Sequence, residues 1–338
     1  MPQSSYDAIL IQSFGGPEGP DDVIPFLENV LRGRNVPRER LLEVSEHYQH
    51  FGGVSPINQQ CRDLIDALRQ DLHANGIDLP MYWGNRNWHP MLDDTFRQMK
   101  EEGVSRVLSF VTSAFSSYSG CRQYREDVAR FGAVAEATDI QVDKLRVFYN
   151  HPDFIQVVAD CVQVAITDLD ISDHPFIAFT AHSIPGAMSA GCDYVQQLQE
   201  SCRLVTERLG IPIESWQLVY QSRSGRPQDP WLEPDICDFI DTLAGRGVRD
   251  LVISPIGFIS DHMEVLFDLD TEAKDACAAH DINMRRAATP GIRPQFISMI
   301  RKLIQERLGQ ADREAVGQYP ANHDVCPEDC CLSGRPQH

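Results

Sequence analysis

Three carboxylates, Glu264, Asp268 and Glu272, follow one another at intervals of four residues after an apolar run at residues 251–259. Such a run predicts a strand buried on both faces of a parallel sheet, and the acids after it would share one face of a helix. Like charges at this spacing destabilise a helix by a few tenths of a kcal/mol per pair, so stability does not explain the row. Two interpretations stay open. The row is a solvated face of an acidic protein, or it is a path for protons or a divalent cation at the carboxyl end of a strand, where open α/β sheets bind ligands.

A histidine, His182, directly follows a second apolar strand at residues 176–181, in the motif FTAHSIPG. A lone histidine is more often structural, but a neutral imidazole can also accept a proton or bind a metal ion. Parallel strands of one sheet have their carboxyl ends at the same edge. We therefore expect His182 and the segment 261–264 to face one cleft.

The chain has ten cysteines, and three of them, Cys326, Cys330 and Cys331, lie close together in a polar tail. Their CxxxCC spacing matches no common zinc motif. A [2Fe–2S] cluster needs four thiolates, of which the tail offers three. The alternative is a frayed terminus with adventitious thiols. The other seven cysteines are scattered singly and are interpreted as reduced thiols.

The composition limits the partners. A net charge of −19 argues against nucleic acid and against a basic membrane-docking surface, so any anionic ligand must be met by local arginines. Apolar residues make up 42% of the chain, but no stretch is long enough to span a bilayer, which predicts no stable membrane insertion. The N-terminus lacks the layout of a signal peptide, and we expect a cytoplasmic protein.

Strand and helix patterns alternate along the chain, with about four strands in each half, the fourth of the first half being expected at residues 145–149. This rhythm predicts an α/β fold with two parallel sheets flanked by helices. The segment GGPEGP after the first strand is not a GxGxxG loop, so a dinucleotide is not expected. The predicted divisions are a first domain at 1–150, a second domain at 151–290, a C-terminal helix at 291–310 that packs back on the first domain, and a cysteine-bearing tail at 311–338.

Five motifs, taken together, carry a family resemblance. They are GGP near the N-terminus, FGGVSPIN, TAHSIP, VYQSRSG with PWL after it, and PIGFISDHMEVLFDLD. In this order they resemble the ferrochelatases, from residue 8 to about residue 308. The resemblance implies the chelatase fold, which is two Rossmann-like domains, each with a parallel four-stranded sheet, and a porphyrin cleft between them. It also implies an enzyme of haem biosynthesis, a lyase that inserts ferrous iron as a substrate into a porphyrin.

The resemblance also assigns roles to residues of the cleft. His182 becomes the base or metal contact, and Glu264 a second catalytic and metal-binding group, with Asp268 and Glu272 continuing the acidic face. The substrate-binding residues implied are Phe14, Arg32, Arg34, Ser55 and Tyr124. Phe14 stands where tyrosine or methionine is common in the family, and a phenyl ring cannot ligate iron.

The N-terminal segment is most similar to that of the bacterial enzymes that use coproporphyrin III. The four carboxylates of coproporphyrin III would need Arg32, Arg34 and Arg125 as compensating positive charges. The alternatives are a protoporphyrin IX ferrochelatase, a cobalt or nickel chelatase, and a tetrapyrrole carrier without catalytic activity. We expect a monomer.

The resemblance finally implies a use for the tail. Some ferrochelatases hold a [2Fe–2S] cluster with three C-terminal cysteines and one on the helix that joins the two halves. In this chain that helix, predicted from residue 151, contains one cysteine, Cys161. The implied ligands are therefore Cys161, Cys326, Cys330 and Cys331.

Overall fold

The computed structural model describes residues 6–33, 36–169, 171, 174–226 and 228–334. Its framework is two four-stranded parallel sheets. The first sheet consists of β1 (Ala8–Ser13), β2 (Met81–Asn85), β3 (Arg106–Val111) and β4 (Gln141–Lys144), in the order β2-β1-β3-β4. The second consists of β5 (Phe176–His182), β6 (Trp216–Gln221), β7 (Asp250–Ser254) and β8 (Asn283–Arg286), in the order β6-β5-β7-β8. Each order places the first strand of the sheet in its interior, as in doubly wound folds, and the predicted fold class is confirmed.

Helices cover both sheets. The first sheet is accompanied by α1 (Val23–Val30), α2 (Arg38–His50), α3 (Ile57–Ala74), α4 (Leu92–Glu101) and α5 (Gln123–Val134). The chain continues with α6 (Pro152–Thr167), α7 (Gly186–Ser189), α8 (Tyr194–Leu209), α9 (Ile236–Gly245), α10 (Met263–Phe267), α11 (Lys274–Ala279) and α12 (Pro294–Leu308). Two π-helical segments, Tyr118–Arg122 and Asp268–Ala273, directly precede α5 and α11. No helix among the described residues is long and apolar enough to cross a membrane.

Two strand predictions need correction. The fourth strand of the first sheet is Gln141–Lys144, not residues 145–149. Those later residues are buried in the core and form no strand, although the Leu145 N–H still donates to the Ser109 carbonyl of β3. An apolar run of this length does not reveal whether it lies in a strand or elsewhere in the core. The third strand of the second sheet ends at Ser254, because Pro255 has no N–H for the ladder and the chain turns there.

One apolar core joins the two sheets. It includes Ile9 and Phe110 of the first sheet and Phe179 and Val252 of the second, with the inner faces of α6, α8 and α12 between them. The last helix contacts α3 and α6, and Arg301 on it donates to the Asp71 carboxylate at 2.7 Å. The predicted domain boundaries stay a proposal, and the continuous core fixes the two sheet edges relative to each other.

Candidate active site

His182 and Glu264 face each other at the carboxyl edge of the second sheet. His182 is the last residue of β5, and Glu264 is in the first turn of α10. Their Nε2 and Oε2 atoms are 3.7 Å apart, and the two side chains are 33% and 44% exposed. His182 Nδ1 lies 2.5 Å from the Ser183 carbonyl, which can only accept, so Nδ1 carries a proton, and in the neutral imidazole Nε2 has the free lone pair. This pair can take up a proton or a divalent cation.

The segment between β7 and α10 reaches His182 because one residue in it has no side chain. A Cβ on Gly257 would lie 2.7 Å from the Ala181 Cα, so only glycine fits there. The Gly257 N–H donates to the Thr180 carbonyl at 3.0 Å, which fixes the segment against the end of β5. The turn that follows therefore places Glu264 opposite His182.

A second histidine, His262, prepares the start of α10. Its Nδ1 accepts from the Glu264 N–H at 3.2 Å as the N-cap, and it lies 3.9 Å from the Glu264 carboxylate. Burial lowers the pKa of His262 below its ordinary value, so this side chain stays neutral and fixes the first turn. The sequence interpretation gave His262 no role. Its position directly before the first residue of α10 could have indicated this role, because N-cap side chains accept hydrogen bonds from backbone N–H groups of the first helical turn.

The acidic row continues from Glu264 into the π-helical segment Asp268–Ala273. Asp268 accepts from the Ser222 hydroxyl, and from Gln221 Nε2 at 3.3 Å. Burial, followed by the charges of Glu264 and Glu272, raises the pKa of Asp268 to about 7. Asp268 therefore lies within the electrostatic range of both neighbouring carboxylates, as the spacing suggested. Burial and nearby Asp235 raise the pKa of Glu272, at the outer end of the row.

Helix α2 of the first half closes over this row. The rings of His47 and Phe267 are stacked with their centroids 3.8 Å apart. Burial raises the pKa of the Tyr48 phenol, and the carboxylates of Glu264 and Asp268 raise it further, so this phenol lies near both. Sequence reasoning missed Tyr48, since no local pattern shows that α2 meets α10.

The predicted substrate-binding residues that the structure describes are around the carboxyl edge of the first sheet. Phe14 follows β1 and contacts Phe26 edge-on, with ring centroids 6.2 Å apart. Ser55 is buried, and its N–H donates to the Pro17 carbonyl at 2.8 Å. Tyr124 is buried beneath the Arg86 guanidinium, whose carbon is 4.0 Å from the ring centre. Arg32 is exposed just beyond α1, and Arg34 lies outside the described residues.

The tail cysteines meet a different partner from the one predicted. Hydrogen bonds from the Cys326 and Cys331 thiols hold the pKa of Cys121 far below its ordinary value, and Cys330 Sγ is 3.3 Å from Cys331 Sγ. Ligand atoms of His323, Cys326 and Cys330 lie within 4.8 Å of one another.

Cys161 lies apart from this group, so the ligand set Cys161, Cys326, Cys330 and Cys331 stays a prediction that the geometry does not favour. Cys161 is on the inner face of α6 with 2% exposure, and its sulfur is 4.0 Å from the Thr289 carbonyl. The core between the sheets therefore surrounds it. Cys121 lies in the π-helical segment Tyr118–Arg122, one turn before Tyr124 of α5, and its place in the segment between β3 and α5 was the signal that could have identified it.

Two arginines fix the tail against the first half. Arg122 Nη1 donates to the carbonyls of Glu328 at 2.5 Å and Cys330 at 3.0 Å. Arg125 Nη1 donates to the Pro327 carbonyl at 3.1 Å. Arg125 was expected to compensate substrate carboxylates, but its contacts are with the tail backbone.

Known proteins of one family match this chain over most of its length. The family model described as Ferrochelatase matches residues 6–308. A ferrochelatase of Rhodopirellula baltica is 56% identical over 97% of this chain and 93% of its own length. A coproporphyrin III ferrochelatase of Streptomyces coelicolor is 49% identical over 99% of this chain and 95% of its own. Among solved structures, SirB from Bacillus subtilis with Fe³⁺ matches the fold with a TM-score of 0.55 at 12% identity, over 90% of this chain and 98% of that one.

Proposed function

The chain belongs to the ferrochelatase family, enzymes that insert a metal ion into a porphyrin in haem synthesis, and on this premise we propose that it inserts Fe²⁺ into coproporphyrin III. The observation that supports the chemistry best is the His182–Glu264 pair, 3.7 Å apart and partly exposed at the carboxyl edge of the second sheet. Cytoplasmic location and the monomeric state stay predictions.

Metal insertion requires two pyrrole N–H protons to leave the porphyrin while Fe²⁺ loses its water ligands. His182 Nε2 has the lone pair that can accept a proton or contact the ion, and imidazole and carboxylate both suit a divalent first-row metal. The carboxylate of Glu264 next to it stabilises the imidazolium that forms.

The acidic row offers an exit for the protons. Asp268 has a pKa of about 7, so near neutral pH it exists in both protonation states and can receive and release a proton. Glu272 follows it toward the solvent. Glu264, Asp268 and Glu272 would pass protons outward or, as hard oxygen ligands, pass the ion inward.

The choice of coproporphyrin III is supported by the named substrate of the Streptomyces coelicolor relative. A porphyrin with four carboxylates approaches a protein of net charge −19, so local cations are needed. Arg32, exposed just beyond α1, would supply one.

An anaerobic assay with Fe²⁺ and each porphyrin, followed by absorbance, tests the proposal. We expect metalloporphyrin bands with coproporphyrin III and slower turnover with protoporphyrin IX. Comparable or faster turnover of protoporphyrin IX would reverse the substrate preference. Turnover with Co²⁺ or Ni²⁺ but not Fe²⁺ would identify a different chelatase, and porphyrin binding without any insertion would identify a carrier.

We also propose that the tail holds a [2Fe–2S] cluster. Such a cluster takes four thiolates, and Cys121, Cys326, Cys330 and Cys331 form one chain of sulfur contacts, so the residues fit it. Its role would be to attach the tail to the first half, because metal insertion needs no electron.

Two cysteine variants separate the ligand sets. Protein purified without oxygen should be coloured and contain about two irons and two sulfides per chain. Cys121→Ser should lose this cluster, while the buried control Cys161→Ser should keep it. Loss of the cluster in Cys161→Ser and its retention in Cys121→Ser would favour the ligand set with Cys161 instead. Colourless parent protein would reject the cluster.

A further inference from the structure

Arg286, the last residue of β8, joins two carboxylates of the segment that contains the acidic row. Its Nη1 and Nη2 atoms donate to the two carboxylate oxygens of Asp261, both at 3.2 Å. Its Nε and Nη2 atoms donate to the two carboxylate oxygens of Asp270, at 2.6 and 3.0 Å. One guanidinium therefore forms a two-pronged ion pair with each of two carboxylates.

The two carboxylates lie on either side of the first acids of the row. Asp261 precedes the first residue of α10 by two positions, and Asp270 is in the π-helical segment that follows α10. Glu264 and Asp268 lie between them in the sequence. A length of chain that is held at both ends by one planar group has little freedom to shift. The guanidinium of Arg286 therefore limits how Glu264 and Asp268 move relative to each other.

Asp261 is itself firmly held. Its N–H donates to Gln60 Oε1 on α3 at 2.8 Å, which is a contact between the two halves of the chain. Its carboxylate also accepts from the Thr289 hydroxyl at 3.2 Å. The side chains of Arg286 and Asp261 are only 16% and 22% exposed, so solvent screens their interaction less than that of a surface pair. Arg286 thus connects Asp270 to a residue that three other elements fix in place.

The pairing also separates two kinds of acid. A carboxylate whose oxygens accept from a guanidinium is a poor ligand for a metal ion, because its lone pairs are in use and the guanidinium repels the ion. Asp261 and Asp270 are acids of this kind. The acids of the segment that pair with no arginine or lysine in the described part of the chain are those of the row, Glu264, Asp268 and Glu272.

We propose that Arg286 is a positioning residue for the incoming metal ion. By joining Asp261 to Asp270 it holds Glu264 and Asp268 at the separation at which they receive a divalent cation, and it contacts neither the ion nor the porphyrin. This inference rests on the proposed function, because it takes the acidic row as the path of Fe²⁺. It adds a residue on the edge strand of the second sheet to the machinery that delivers the ion.

The charge of Arg286 and its geometry have opposite effects on a cation at the row. A positive charge nearby repels a divalent ion, so loss of the charge alone would strengthen cation binding. Loss of the two-pronged contacts releases the row, which weakens the binding of an ion that needs its ligands held in place. The direction of the change therefore distinguishes a positioning role from a purely electrostatic one.

Two substitutions use this difference. Arg286→Lys keeps the charge, but an ammonium group is a point donor that cannot form two two-pronged pairs. Arg286→Met removes the charge as well, and Arg286→Lys decides alone if Arg286→Met does not fold. Arg285→Lys and Arg285→Met are the matched controls, because Arg285 is exposed on the opposite face of the same strand and its Nη1 donates to the Met284 carbonyl at 2.9 Å.

Two measurements are made on each variant. Anaerobic initial rates give kcat and the KM values of Fe²⁺ and coproporphyrin III. The EPR signal of free Mn²⁺ gives the dissociation constant of this ion from the protein without porphyrin. Mn²⁺ suits carboxylate ligands, whereas the thiolates of the tail select softer metals, so the probe reports on the row.

We expect Arg286→Lys to raise the KM of Fe²⁺ and the dissociation constant of Mn²⁺ about tenfold, with kcat within about threefold of the parent and the KM of coproporphyrin III unchanged. Arg286→Met should change both constants in the same direction, and the Arg285 variants should match the parent. A loss of folded protein alone would lower the apparent kcat and leave the KM of Fe²⁺ unchanged.

Two results would overturn the proposal. The first is a parent value for the KM of Fe²⁺ in folded Arg286→Lys. The second is tighter Mn²⁺ binding in Arg286→Met together with parent binding in Arg286→Lys, which would show that only the charge of Arg286 matters.

The positioning role and the proposed function fail separately. If Arg286→Lys weakens Mn²⁺ binding but the parent protein metallates no porphyrin, the function is rejected and the role of Arg286 in holding the row stands. Normal Fe²⁺ insertion by the parent, with parent values of both constants in Arg286→Lys, would reject the role of Arg286 alone.

Discussion

At the scale of single residues, the site depends on unequal environments for similar groups. His182 has its Nε2 opposite the Glu264 carboxylate and partly exposed, while His262, close by, is kept neutral by burial and used as a helix cap. Asp268 is a carboxyl with a pKa near 7, although the same side chain in water is ionised well below that. Groups of one type thus have different tasks because burial and neighbouring charges differ.

Removing the imidazole tests the first of these tasks. His182→Ala should lower the rate of metal insertion at least 100-fold, since a proton acceptor contributes roughly 10² to 10⁴. The thermal midpoint should stay within a few degrees, because His182 is one-third exposed and its loss opens no core cavity. His280→Ala, which removes a histidine from a surface pair with Asp241, is the control and should keep the parent rate. Parent activity in folded His182→Ala would contradict the assignment.

The raised pKa of Asp268 predicts a change of stability with pH. Below pH 4 the carboxyl is protonated in the folded and the unfolded chain, and between pH 4 and 7 only the unfolded chain ionises, so the free energy of unfolding falls. Asp268→Asn avoids this loss. It should be more stable than the parent by about 1–2 kcal/mol at pH 8, with the difference vanishing toward pH 4. Urea unfolding at both pH values measures this, and a difference independent of pH would contradict it.

At the scale of elements, the site is built where strands of the second sheet end. β5 ends at His182, β6 ends at Gln221 beside Ser222, and β7 leads through Gly257 to α10. Ser222 has a φ of +61°, an uncommon conformation for a residue with a side chain, and its hydroxyl donates to Asp268. Backbone geometry at these ends, more than helix or strand propensity, positions the polar groups.

Gly257 gives a direct test of this positioning. Gly257→Ala places a methyl group against the Ala181 backbone, so the segment must move away from His182. We expect a loss of about 1–3 kcal/mol of stability and at least tenfold lower activity. Gly245→Ala on α9 is the matched control, because a Cβ there meets nothing within 4 Å and alanine favours the helix. Thermal melts and initial rates measure both. Equal behaviour of the two variants would show that the close approach of Gly257 has no consequence.

At the scale of the whole molecule, the C-terminal helix and the tail hold the two halves together. α12 contacts α3 and α6, and the segment after it runs back along the first half to Cys121. Arg146, just after β4, forms a two-pronged ion pair with Glu306 of α12 at 2.7 and 2.8 Å. Both side chains are at most 3% exposed, so the pair is part of the interior.

This buried pair should show a characteristic asymmetry. Arg146→Met leaves the Glu306 charge buried and alone, and should lower the free energy of unfolding by about 3–5 kcal/mol. Arg146→Met combined with Glu306→Leu should recover most of the loss, since no unpaired charge remains. Urea denaturation of the three proteins compares them. If the free energy of unfolding of Arg146→Met lies within 1 kcal/mol of the parent value, the pair does not hold α12 to the first half. A buried charge without its partner should cost more than that.

The sequence alone was sufficient to predict those features that depend only on residues within one segment. Alternating strands and helices predicted the two parallel sheets, and the apolar strands before His182 and Glu264 placed both residues at one sheet edge. The spacing of Glu264, Asp268 and Glu272 likewise predicted their common side of a helix. In these cases burial on both strand faces and the helical repeat are set by neighbouring residues, so they can be recognised in the sequence.

Tertiary packing decided the contacts between segments distant in the chain. The apolar residues 145–149 look like a strand, but they enter the core while the polar edge strand Gln141–Lys144 pairs with β3. Tyr48 reaches the acidic row only because α2 lies over α10, and Arg286 reaches Asp261 and Asp270 only because β8 lies beside the segment that contains them. The tail cysteines meet Cys121, whereas Cys161 is enclosed by the core. Each contact depends on how whole elements pack, and no residue type or spacing within one segment encodes that.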